Sequence, residues 1–185
     1  PDMHSIQSGF GGLPHDCLGE PDTIVARHCF CHQEWNDFMG TVARCSHKKT
    51  LVCIEVPYAP DLLRRVEFDS IYQEHTSYLT IKSVVALLKH YPFHLHGVLR
   101  YGIHGGAVLL MLRHNDSGIT PHLSADEMLA EEHVTEHTWK DFGIRARMKI
   151  ENLQKLVEEL KSKGKIVSAF GASAKASVLI NACGF

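Results

Sequence analysis

No run in this 185-residue sequence approaches the ~20 consecutive apolar residues that a membrane-spanning helix needs. The first ten residues, PDMHSIQSGF, have neither the basic nor the apolar region of a signal peptide. Both absences predict a cytoplasmic setting without a membrane partner. Charge of one sign is also lacking: 19 Lys and Arg stand against 21 Asp and Glu, a net −2 with histidines neutral. Without a basic stripe carrying interleaved aromatics, nucleic acid is not expected as a partner. There is no G-x-G-x-x-G, so the glycine-rich loop of a dinucleotide site is missing. Six cysteines, Cys17, Cys29, Cys31, Cys45, Cys53 and Cys183, are scattered through strand-like and apolar segments rather than spaced as a framework. A chain of this size does not need stapling, so they read as reduced and mostly buried thiols.

What is present is the composition of a globular domain, 44% hydrophobic and 22% charged, with an unusual fourteen histidines. Histidine enrichment raises metal binding as a question for each position. His28, Cys29, Cys31 and His32 form the run HCFCH. On a strand, Cys29 and Cys31 would share one face and the histidines the other, so four ligands would not converge. His94 and His96 share a strand face and read as a solvent-facing pair. No metal is expected.

Residues 1–20, rich in Gly, Pro and His, read as loop or a disordered terminus. Thr23 to Cys31 reads as a strand, Glu34 to Cys45 as an amphipathic helix and Leu51 to Val56 as a second buried strand. Together they make a parallel βαβ unit covered on both faces. Ile81 to His90 has helical spacing and stops before Pro92. Phe93 to Tyr101 and Ala107 to Arg113 are linked by five residues, too few for a parallel crossover, and predict an antiparallel hairpin. Ser124 to Glu127 has the form of a capping box opening a helix. Farther on, Ile150 to Leu160 carries an apolar stripe ending at Gly164, and Lys165 to Phe170 reads as a buried strand. A small-residue turn, Gly171 to Lys175, then leads into a helix reaching Cys183. Strand, turn and helix make the opening unit of a second nucleotide-binding α/β domain, where helix-start amides could hold an anion. A lone unit of that kind exposes its strand, so the chain reads either as cut short or as completing its sheet with a second copy, a homodimer.

The stretch Phe68 to Thr80, FDSIYQEHTSYLT, places Tyr72, Glu74 and His75 within four positions. Tyrosine donates or accepts, glutamate orients, and histidine titrates near neutral pH, so proton transfer is available there. A polar turn with a half-buried tyrosine and solvated Glu and His is the competing reading.

With IEVPY (Ile54 to Tyr58), HGG (His104 to Gly106) and GKIVSAFGASAKASVLINACG (Gly164 to Gly184), that stretch resembles the S-adenosylmethionine-dependent sugar C-methyltransferases from about Asp22 onward. The family's focal motif is Y-H-E-H, and here Gln73 takes its second position. The resemblance implies an α/β fold in two parts. Residues 21–147 would be the C-terminal half of a class I methyltransferase-like domain, a partial Rossmann-like sheet ending in the antiparallel hairpin. Residues 148–185 would begin a second Rossmann-like domain with its first helix, strand and helix. On this reading the chain is a middle fragment without the family's zinc-binding module, glycine-rich cofactor loop and most of its last domain.

The resemblance also implies S-adenosylmethionine as cofactor, a keto-deoxysugar nucleotide as substrate, and methylation of a carbon beside the ketone. His75 would be the base, Tyr72 the donor to the enolate oxygen, and Glu74 the holder of the histidine tautomer or of a sugar hydroxyl. His32 would be an acid or oxyanion partner. Arg27 and His28 would lie on the cofactor side; His104 and Gly105 would face the substrate, and Lys175 would neutralise its phosphate. Without the resemblance, His104 and Gly105 turn a hairpin, and Lys175, Arg64 and Arg65 are solvated helix residues. The alternative function is a non-catalytic α/β module that self-associates to complete its sheet.

Overall fold

The computed structural model describes residues 20–122 and 124–185, and of His104 the backbone only. Four strands form one mixed sheet: β1 (Thr23–Arg27), β2 (Leu51–Pro57), β3 (Phe93–Tyr101) and β4 (Ala107–His114). Their order is β1-β2-β4-β3, with β1 parallel to β2 and β4 antiparallel to both neighbours. The α/β class, the parallel pair and the terminal hairpin expected from sequence are all present. Residues 1–19, including Cys17, lie outside the described residues; Cys29, Cys31, Cys45, Cys53 and Cys183 are free thiols.

Helices α1 (Trp35–Cys45), α3 (Ile81–Leu88) and α4 (Ser124–Glu131) cover one face of the sheet. Phe38, Met39 and Val42 of α1 and Ile81, Val84 and Leu88 of α3 recur at helical spacing. They pack on Val52, Ile54, Val56, Val108, Leu110 and Leu112. Among the described residues the other face is open: Cys53, Leu109 and Met111 are half-buried and Val25 is 64% exposed. The expected two-sided cover of β1 and β2 is therefore corrected. Leu51 to Ile54 alternate between half-buried and buried, as a strand with helices on one side does.

β1 is also shorter than expected. It ends at Arg27, His28 takes a left-handed φ of 49°, and Phe30–His32 forms a 3-10 turn. The strand alternation assumed for HCFCH thus does not hold. Ser124 opens α4, and its hydroxyl accepts the N–H of Val98, 3.2 Å away, so it serves the sheet edge.

Helix α5 (Glu136–Ser162) runs 27 residues, and the boundary expected at 147/148 falls inside it. It braces α2 (Ala59–Arg65): the Arg145 guanidinium donates to the Leu63 and Arg64 carbonyls, and Lys149 Nζ to those of Arg65 and Val66. These carbonyls close a helix C-terminus, where cations are favoured. Phe142 and Ala146 add a small core with Leu62, Leu63 and Val66.

Residues 165–170, expected as a buried strand, are irregular and exposed, with Ile166 94% accessible. A strand needs a neighbour for its amides and a cover for its side chains, and the described chain gives this segment neither. The helix that follows is present as α6 (Ala174–Cys183), N-capped by Ser173. Among the described residues no helix is long and apolar enough to cross a membrane.

Candidate active site

The parallel strands β1 and β2 end side by side at Arg27 and Pro57, and ligands of open α/β sheets bind beyond such carboxyl ends. A cavity of about 260 Å³ lies there, lined by His28, His32, Pro57, Ser70, Tyr72, His75 and Lys175. A second, of about 490 Å³, shares Tyr72 and is lined by Gln73, Glu74 and, from α6, Ala174, Ser177, Val178 and Asn181.

Hydrogen bonds hold the site's loop in place. Thr76 N–H and hydroxyl both donate to the Cys31 carbonyl at 3.0 Å, joining the Phe68–Thr80 stretch to the 3-10 turn after β1. His75 Nδ1 is 2.8 Å from the Ser70 carbonyl and must donate to it. The lone pair of the neutral ring therefore sits on Nε2, where the Tyr72 hydroxyl donates at 2.8 Å. His32 is set the same way, its Nδ1 2.8 Å from the Glu74 carbonyl, and the two imidazoles face each other at 4.8 Å between centroids.

Burial disfavours the charged forms of His75 and Tyr72. Burial lowers the His75 pKa, and the nearby His32, Lys175 and His28 lower it further against the opposing Ser70 bond. Burial raises the Tyr72 phenol, with Cys31 and Glu74 adding to it. An unprotonated imidazole next to a protonated phenol is a base with an oxygen-directed donor beside it.

Tyr72, His75, His32, His28 and Lys175 thus come together. Glu74 sits at the edge of the adjoining cavity, and the tautomer role expected for its carboxylate is filled instead by the Ser70 carbonyl. Arg27 points to Glu55: its Nε and one terminal nitrogen donate to that carboxylate at 3.3 and 3.2 Å. Glu55 Oε1 also lies 2.9 Å from His28 Nε2. Arg27 and then His28 hold the Glu55 carboxyl below the usual range despite burial. Gly105 lies outside the cavity lining, in the turn Ile103–Gly105. At its φ of 85°, a Cβ there would fall 2.7 Å from Glu67 Cδ. Glu67 in turn lies 3.6 Å from Lys175 Nζ, so one carboxylate sits between the glycine turn and the cavity lysine. The His104 side chain is outside the described residues.

Sequence reasoning missed Ser70, Glu55 and Glu67. A backbone carbonyl leaves no signal in residue type, and neither glutamate is close in sequence to the cation it meets: Glu55 is 28 positions from Arg27, and Glu67 is farther still from Lys175.

Residues 102–185 match the sequence family described as the C-methyltransferase C-terminal domain. The C-methyltransferase NovU of Streptomyces niveus is 29% identical over 166 residues, covering 87% of this chain and 40% of that protein. The chain therefore spans two-fifths of the length of the curated relative it matches.

Proposed function

Both matches fall on C-methyltransferases and support that family over a fragment of its length, and from there we propose that the cavity performs base-assisted C-methylation of a keto-deoxysugar nucleotide. The observation that carries this reading is the Tyr72–His75 pair, a neutral base whose lone pair is covered by a phenol at 2.8 Å.

A carbon beside a ketone is a weak acid, and removing its proton needs a base together with a donor to the developing enolate oxygen. When the ketone enters, the Tyr72 hydroxyl turns from His75 to the carbonyl oxygen. That one exchange frees Nε2 to take the proton. Nδ1 stays on Ser70, so the imidazolium forms without a change of tautomer. His32 accepts at Nε2 when neutral and donates there only as imidazolium, so it is a partner for the enolate oxygen only in its charged form. Lys175 on the cavity wall is placed for the anionic part of a sugar nucleotide, and Glu74 for a sugar hydroxyl.

S-adenosylmethionine is the proposed donor; when bound it supplies an electrophilic methyl group on a sulfonium. Arg27 and His28 are the proposed border residues on the donor's side, both held by the Glu55 carboxylate.

Exchange of the acidic proton in D2O tests the reading without the methyl donor. Incubated with a keto-deoxysugar nucleotide, the protein should wash out the α-proton signal in NMR, and His75→Asn should slow washout by about 10²–10⁴. Equal washout by parent and variant would remove His75 as the base.

The second reading, a self-associating non-catalytic module, is favoured by the bare apolar segment containing Ile166 and Phe170. Normal self-association with no proton exchange would select it.

A further inference from the structure

We propose that Cys31, His32 and His75 form a binding site for a borderline-soft divalent metal ion of the zinc class. One ligand atom from each residue lies within 4.8 Å of those of the other two. As a strand, the run HCFCH cannot converge on a metal. The early end of β1 and the 3-10 turn at 30–32 change which of its members meet. Cys31 and His32 are carried toward the loop holding His75, and the Thr76 bonds to the Cys31 carbonyl keep the two segments together.

Three further features suit a metal. Histidines that ligate usually donate their other ring N–H to a carbonyl or carboxylate. Both imidazoles already do so, to Glu74 O and Ser70 O, which leaves Nε2 on each for the ion. One sulfur and two imidazole nitrogens are a donor set that zinc accepts, with the fourth position left to Tyr72 or to water from the cavity. The movement required is small. Tetrahedral zinc with bonds of about 2.0–2.3 Å separates its ligands by roughly 3.4–3.7 Å. Closing from 4.8 Å asks about 1 Å of side-chain adjustment.

Binding balances as a proton exchange: the Cys31 S–H bond breaks, the proton goes to solvent, and sulfur bonds the ion. The thiol gives up its 3.8 Å contact to the His28 carbonyl, and Tyr72 releases Nε2 of His75. A bound ion would occupy the lone pair assigned above to proton abstraction. That regulatory consequence, unlike the site itself, rests on the proposed function.

Co(II) is the probe, since a thiolate ligand gives it a near-ultraviolet charge-transfer band. Titration of the chain should show that band saturating at one equivalent, and Zn(II) should displace it. Cys31→Ser should abolish the band, and His32→Gln, at a solvent-accessible position, should weaken binding at least tenfold with the fold intact by circular dichroism. His94→Gln with His96→Gln should leave the titration unchanged. Binding without a thiolate band, a Cys31→Ser titration like the parent's, or loss of binding on changing His94 and His96 would overturn the site. Proton exchange with metal removed is read separately, so failure of the metal site and failure of the base give different results.

Discussion

At the scale of single residues, the neutral state of His75 sets a pH dependence. Its folded pKa lies below the free value of 6.5, chiefly through burial. Between the two values the unfolded chain binds more protons, so this histidine's contribution to stability is present above pH 6.5 and is lost as pH falls through the folded value. The acid limb of proton exchange should accordingly have its midpoint below 6.5, and Lys175→Ala should move it upward; a limb at or above 6.5 in the parent would contradict the assigned environment. Glu132 makes a different case. Only 2% exposed, its carboxylate accepts the N–H groups of Ile81 at 2.6 Å and Lys82 at 2.9 Å and the Tyr58 hydroxyl at 3.2 Å. It thereby closes the first turn of α3, and Glu132→Ala should cost about 3 kcal/mol in denaturant unfolding. The closeness of Tyr72 and His75 was legible, because three positions separate them and the hydroxyl reaches the ring nitrogen at 2.8 Å, whereas the Ser70 carbonyl that takes the role expected of Glu74 was not. Nor was Glu132, since nothing local shows that a glutamate 51 positions from Ile81 will meet its amide.

At the scale of elements, the turn after β3 is shaped by what lies beneath it. Gly106 has φ 128°, and a Cβ there would fall 2.7 Å from Asp61 Cγ. Asp61 is 1% exposed; burial alone would raise its pKa, but bonds from Arg100 and Arg64 bring the carboxyl below its usual range. Arg100 Nε donates to it at 2.8 Å, which locks the carboxylate where the glycine must pass. Gly106→Ala should therefore destabilise by about 2–3 kcal/mol, read as a lowered urea midpoint with unchanged slope. Sequence reading placed this hairpin correctly because five linking residues leave little choice. It missed the first turns of α5, whose cap pairs Thr135 with Thr138 rather than with the glutamate or glutamine sought. The strand expected at 165–170 failed for another reason. Its apolar pattern is genuine, but pairing is a property of neighbours and not of the segment.

At the scale of the whole molecule, the helices among the described residues crowd one side of the sheet and leave Val25 and Leu99 exposed on the other, while Ile166 and Phe170 stand bare beyond α5. Exposed apolar surface of this kind favours association. Light scattering should show concentration-dependent growth in mass, and Ile166→Lys with Phe170→Glu should return the chain toward monomer; no change would direct attention to the open sheet face. The cavity, meanwhile, draws its walls from far along the chain: His28 and His32, Pro57, Ser70 to His75, and then Lys175, 100 positions after His75. At roughly 5–20 residues per second, translation delivers that last wall about 5–20 s after the imidazole has emerged. For that interval a nascent chain presents the His75 imidazole without Lys175 beside it, and the cavity has its full lining only once α6 has been made.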